Sequence, residues 1–303
     1  MAVQTERRAR PVLGVFWMLV TGFCFVTVTA IVKIVGSDVP PAQSAFLRYV
    51  FGLVFLIPML PALRRAIWTR RTLTLHAGRG LAHALGVICW FYAMTRIPIA
   101  EVTAMNYLNP VYVTLLAAIV LGERLAFRRI AAIGVAVLGA LIILRPGLRE
   151  LDLGHAAMLV TAAAFAVGYL IAKVLADESE PAVVVAMLSI TVTVALLPFA
   201  LLDWVRPSGS DLMLLAVLAA VATAGHYAMT LAFKAAPLTV TQPVTFLQLV
   251  WATTLGAVAF EEAVDLWVSV GGVLIIASVT FITWREAVVN RRAVTPATEQ
   301  TKA

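Results

Sequence analysis

The sequence predicts an all-α integral membrane protein, with ten transmembrane helices arranged as two inverted five-helix repeats. Three observations lead there. The 303 residues are 62% hydrophobic and 13% charged, whereas soluble domains run roughly 45–50% apolar and about 25% charged. The apolar residues gather into runs of roughly 17–25, which suits membrane helices and exceeds the roughly ten alternating residues of a barrel strand. Finally, the chain repeats itself. At an offset of 140, Gly14 falls on Gly154, and Met18, Leu19, Val20 and Thr21 fall on Met158, Leu159, Val160 and Thr161. Phe25, Lys33, Pro41 and Pro58 then fall on Phe165, Lys173, Pro181 and Pro198. At 139, Ala93, Pro98, Leu108, Thr114 and Glu123 fall on Ala232, Pro237, Leu247, Thr253 and Glu262.

Each run has identifiable ends. The first, near 12–35, follows Arg7, Arg8 and Arg10; it is too long for a signal-peptide core and reads as a retained span. The second, near 42–62, opens at Pro41 and closes before Arg64 and Arg65. The third, near 76–96, ends ahead of Pro98. The fourth, near 99–121, carries Pro110 in its interior and stops at Glu123. The fifth, near 127–145, runs between Arg128 and Arg145. The sixth, near 153–175, and the seventh, near 182–202, are separated by Asp177, Glu178, Glu180 and Pro181. The eighth and ninth, near 211–233 and 238–260, meet at Lys234 and Pro237; the tenth, near 265–284, ends at Arg285. The repeats are thus expected at 12–146 and 152–285, with a tail at 1–11 and a disordered tail at 286–303.

Most of the 23 Lys and Arg, Arg79 included, fall on the side of the termini. Both termini are therefore expected in the cytoplasm, with the protein in a bacterial-type inner (plasma) membrane. Five spans per copy is an odd number, so the second copy enters the membrane upside down, and substrate sites in such proteins lie near the midplane. The net charge of +7 sits in short loops, where it attracts anionic headgroups rather than nucleic acid. Cys24 and Cys89 lie in apolar runs without metal or disulfide spacing, and no cofactor is indicated.

Several motifs carry a likeness to known transporters. Phe46, Leu47 and Arg48 stand in span 2, Trp90, Phe91, Tyr92 and Ala93 in span 3, and Asn109 and Pro110 in span 4. Leu121, Gly122, Glu123 and Arg124 follow, then Gly139 through Ile143. In that order they resemble the EamA family of the drug/metabolite transporter superfamily over about residues 12–284. The second half departs, with Phe260, Glu261 and Glu262 in place of the usual Gly-Glu and Gln248 in place of the Asn. The resemblance implies a carrier of small organic solutes with a central cavity lined by spans 1, 3, 4, 6, 8 and 9.

Polar side chains inside a membrane need partners, a cavity or a membrane end. Asn106 and Asn109 share a helical face, and their repeat mates are Thr245 and Gln248. Both copies thus offer a polar stripe, as cavity lining or as interhelical glue. Thr21 and Thr161 are expected to face each other across the pseudo-axis. Trp90, Tyr107, Tyr169, Tyr227 and Trp251 lie within spans and supply stacking surfaces. Arg48 suits a substrate carboxylate or phosphate, or else pairs with Asp38 or snorkels. His226 is a core or titrating histidine, and His83 carries less weight. Pro110 frees a carbonyl and is the expected hinge. No Asp or Glu lies mid-span; Glu101 is the nearest.

Gly134, Gly139, Gly271 and Gly272 mark spans 5 and 10 as packing or homodimer surfaces. The four histidines show no metal or acid/base spacing, so a membrane enzyme is disfavoured. No charged or glycine-rich filter segment speaks for a channel. The expected function is secondary transport of a small metabolite, an amino acid or related compound, by export or facilitation. The alternative is uptake of a nucleotide-like cofactor or vitamin.

Overall fold

The computed structural model describes residues 10–36, 38–121, 127–148, 150–236 and 241–294; among them every extended element is helical. The order is α1 (Pro11–Val35), α2 (Pro41–Gly52), a 3-10 stretch (Leu53–Met59), α3 (Leu60–Arg65), α4 (Arg70–Met94), α5 (Ile99–Asn106) and α6 (Asn109–Leu121). There follow α7 (Phe127–Leu144), α8 (Leu153–Glu178), α9 (Pro181–Leu202), α10 (Gly209–Ala235), a 3-10 turn (Gln242–Thr245), α11 (Phe246–Phe260) and α12 (Leu266–Val294). Six of these stretches are long and apolar enough to cross a membrane, among them Pro11–Val35, Pro41–Arg65 and Leu266–Arg285.

Local chemistry sets the ends. Proline begins α1, α2 and α9, where a missing N–H costs nothing. Reciprocal side-chain caps begin α4 (Thr69 with Thr72), α8 (Asp152 with His155) and α10 (Ser208 with Asp211). Pro58 cannot donate to the helix ladder, and the chain around it tightens into 3-10 geometry. Pro110 does more. Tyr107 and Leu108 turn their N–H groups to Ala104 O (3.2 Å) and Met105 O (3.0 Å), and the expected fourth span splits into α5 and α6. The ninth carries the analogous irregularity, since a 3-10 turn containing Pro243 precedes α11.

Two boundaries differ from expectation. The Thr69 cap starts α4 at Arg70 rather than near 76, so Arg79 lies more than two turns inside the helix rather than at its edge. α12 continues to Val294, making 286–294 helical where a disordered tail was expected; nothing there breaks a helix before Pro296. Glu123, Pro237 and the tails 1–9 and 295–303 lie outside the described residues.

The principal packing partners join the first half of the chain to the second. α1 runs along α10, α4 along α8, α2 against α9, α5 against α11 and α7 against α12. Phe91, Met94, Met105, Met158, Ile143 and Ile275 fill one continuous core between them. The α7–α12 contact is a close backbone approach. A Cβ on Gly139 would lie 2.6 Å from Gly271 O, and one on Gly271 would lie 2.4 Å from Gly139 O. Ser278 adds a hydroxyl bond to Ala132 O. These two glycines therefore meet within one chain; Gly272 faces Leu249, and nothing lies near Gly134.

Polar ties concentrate at one end of the bundle. Lys33 pairs with Glu262, whose Oε2 also accepts the Ile99 N–H at 2.9 Å. Arg145 pairs with Asp265, Arg96 with Asp152 at 3.8 Å, and His155 Nε2 meets Glu101 Oε2 at 2.6 Å. The buried Gln43 amide brackets Val205, giving Nε2–H to its carbonyl (2.7 Å) and taking its N–H (3.0 Å). Every one of these ties crosses between the halves. At the other end Arg71 pairs with Glu178 at 2.9 Å.

Candidate functional site

Arg79 and His83 stand one turn apart on α4, on a common face. His83 Nε2 and the Tyr49 hydroxyl of α2 are 2.8 Å apart, and the Arg48 guanidinium covers the Tyr49 ring at 4.1 Å. Across from α4, His83 stacks on Phe165 of α8 with ring centres 4.8 Å apart. Tyr169 stands one turn further along α8. His226 of α10 meets Phe25 of α1 edge-on at 5.1 Å. Arg79, one turn from His83, and Arg48, on the Tyr49 ring, thus both adjoin the His83–Tyr49 contact. These side chains from α1, α2, α4, α8 and α10 therefore form one cluster. Its members keep accessible surface: Tyr169 is 55% exposed, His226 is exposed, and Arg48, Arg79 and His83 are half-buried.

Arg79 Nη1 donates to Val184 O at 3.0 Å. Among the described residues neither Arg79 nor Arg48 has a carboxylate partner, and Asp38 is exposed. The Asp38 pairing considered for Arg48 is thus not formed; the guanidinium lies on Tyr49 instead. No group of three His, Cys, Asp or Glu among the described residues converges as metal ligands would.

A second group surrounds the helix breaks. The Tyr107 hydroxyl donates to Thr245 O at 2.7 Å, tying the α5–α6 break to the 3-10 turn before α11. Asn106 Oδ1 is buried without a hydrogen-bond partner, and Asn109 is buried beside Pro110. Gln248 and Trp251 pack over Gly22 of α1, where a Cβ would lie 3.7 Å from Gln248 Cβ and 3.0 Å from Trp251 Cζ3. Trp90 packs half-buried against the core beside Phe91. Tyr227, next to His226, is 67% exposed.

Thr21 and Thr161 sit elsewhere. Both are buried, and each hydroxyl serves a helix contact: Thr21 donates to Trp17 O (2.8 Å) with Gly225 O at 3.5 Å, Thr161 to Ala157 O (2.9 Å) with Gly86 O at 3.2 Å. Thr21 thus faces α10 and Thr161 faces α4.

The sequence reading passed over Arg79, Tyr49 and most of His83's part, and it left span 2 out of the cavity lining. One signal was present: Arg79 and His83 are spaced four apart, which puts two basic groups on one helical face. The Glu101–His155 pair gave no such signal, because its partners are separated by most of two spans.

The chain matches the model of the EamA-like transporter family twice, over residues 12–145 and 152–284. An S-adenosylmethionine uptake transporter of Rickettsia prowazekii is 25% identical over 90% of this chain and 93% of its own length. A riboflavin transporter of Vibrio cholerae is 28% identical, over 93% and 96%. A pseudopaline exporter of Pseudomonas aeruginosa is 28% identical, over 87% and 93%. One solved structure superposes with a TM-score of 0.59 at 20% identity, covering 93% of this chain and 99% of the other, a likeness of fold. With two matched segments that together span nearly the whole chain, the protein belongs to the EamA-like transporter family.

Proposed function

We propose that the chain is a secondary carrier that exports or equilibrates a small organic metabolite, an amino acid or related compound, across the bacterial inner membrane. It works by alternating access of two inverted five-span repeats, with both termini in the cytoplasm. The observation that carries the reading is the cluster of Arg48, Arg79, His83, Tyr169 and His226, built by helices from both family-matched segments and keeping accessible surface. A polar space shared by two halves is what a rocking carrier needs at its centre. Two further observations support the inverted arrangement. Thr21 meets the carbonyl of Gly225 as Thr161 meets that of Gly86, and the pairs exchange under the sequence offsets of 140 and 139. α1 on α10 likewise exchanges with α8 on α4.

In this reading Thr21 and Thr161 hold the pairs of helices together, while Asn106, Asn109, Gln248 and Trp251 form a flank of the site near the breaks. The buried, unpartnered Asn106 Oδ1 gives that flank an acceptor for substrate. Pro110 is the hinge, because the break it imposes lets α5 and α6 swing separately. The uptake relatives support a second reading, import of a nucleotide-like cofactor or vitamin, whose planar ring would suit the Phe25, Phe165 and Tyr169 surfaces.

The test is flux in proteoliposomes across amino acids, nucleosides and vitamins, with gradients in both directions. Saturable flux of unmodified solute is expected. Flux that stays linear with concentration marks a channel, and covalent conversion marks an enzyme. Failure of every solute in both directions overturns the metabolite-carrier reading.

A further inference from the structure

We propose that the substrate is an organic anion, its carboxylate or phosphate bound by Arg48 and Arg79 while a planar body lies against Phe25, Phe165 and Tyr169. This deepens the carrier reading above and rests on it. Charge is balanced differently at the ends of the bundle and in its interior. Near the ends of the bundle four cations are matched: Lys33 with Glu262, Arg145 with Asp265, Arg96 with Asp152, Arg71 with Glu178. In the interior the matching stops. Arg48 and Arg79 face two histidines and two tyrosines, and no carboxylate among the described residues reaches either one.

A guanidinium keeps its charge at any physiological pH, and membrane interiors penalise unmatched charge heavily. The contacts these two do make leave the charge in place. A tyrosine face attracts a cation without neutralising it, and the Val184 carbonyl occupies a single N–H of the five that Arg79 carries. Snorkelling to headgroups does not account for Arg79. It lies nine residues into α4, about 14 Å at 1.5 Å per residue, one turn from His83, which touches Tyr49 of α2 and Phe165 of α8. Arg48 and Arg79 thus both adjoin the His83–Tyr49 contact, and the counter-ion missing from the protein is supplied by the solute. Fork-shaped donors fit planar carboxylates and phosphate oxygens in pairs. The same field repels cations, and the rings beside it accept an unsaturated body.

The experiment holds the body constant and varies the charge. Wild-type protein in nanodiscs is given 4-hydroxyphenylacetate, its amide and tyramine, with phenyl phosphate as the phosphate arm, and binding is measured by equilibrium dialysis and thermal shift. The acetate and the phosphate are expected to bind at least about tenfold more tightly than the amide, and tyramine to bind weakest, with the preference shrinking as salt rises. R48Q and R79Q should each cut the anion-over-amide preference about tenfold, while R71Q, at the Glu178 pair, leaves it unchanged. Equal binding of anion and amide, tighter binding of tyramine, or no binding of either anion overturns the proposal. The wild-type charge series decides even if a variant fails to fold. The two readings fail separately: saturable transport of the amide or amine without anion preference keeps the carrier and removes the anion, whereas anion binding without transport in either direction keeps the site and removes the carrier.

Discussion

Single residues at the α7–α12 contact and the Glu262 end lend themselves to stability tests. Gly139 has no room for a methyl group, because the obstacle is the Gly271 carbonyl, which cannot rotate away. Gly139→Ala should lower stability by about 1–3 kcal/mol, the usual cost of overpacking, seen as an earlier thermal unfolding in detergent; unchanged unfolding would mean the helices can part freely. Lys33 and Glu262 are mostly buried at 22% and 11% exposure, so losing one partner strands the other. Lys33→Met should cost about 1–3 kcal/mol, below the value for fully buried pairs because water still reaches this one. Adding Glu262→Gln should restore most of the loss, and additive losses in that cycle would show that the pair does not couple. Both residues were visible in the sequence as repeat members, yet their pairing was not, since nothing local links positions 229 apart. Arg79 was legible as an inner-side charge near the start of the third span, but not as a neighbour of Tyr49 and His83, because low hydropathy masked the two turns of helix that Thr69 begins.

Among the elements, the broken fourth span is the one whose irregularity matters most. Pro110 was readable as a kink, and α5 and α6 do separate at Tyr107 and Leu108. The tie from Tyr107 to Thr245 was not readable, because it joins the breaks of two distant segments. Pro110→Ala lets one helix run through the break. It should slow transport about tenfold while changing substrate affinity by less than about threefold, as expected when a conformational step limits turnover. Initial rates and binding constants measured on the same preparation separate the two; a loss confined to affinity would place Pro110 in the site rather than the hinge. The 3-10 stretch around Pro58 and the extension of α4 lay beyond periodicity alone. The first depends on ring sterics and the second on one pair of threonines.

At the scale of the whole molecule, the anionic substrate proposed above would couple transport to the membrane potential through the charge it carries. Carrying a monoanion outward from a negative interior is favoured by about 2.3 kcal/mol per 100 mV. Imposed potassium diffusion potentials in proteoliposomes should therefore accelerate exit of an anion from the negative side and slow its entry, leaving a neutral analogue unaffected. Flux indifferent to voltage would mean that a compensating cation travels with the substrate. The all-helical membrane class and the existence of two copies were legible because hydropathy and repetition are linear properties of the chain. Which helices touch was not, since α1 bypasses its own half to lie on α10, and α4 does the same with α8. That crossing also shapes how the protein is made. When the ribosome has delivered the first half, the faces of α1, α2, α4 and α7 have only lipid to meet, because their partners have not yet been translated. Assembly cannot proceed half by half. The early helices must wait in the bilayer until the last one threads back beside α7, the closing helix of the first copy.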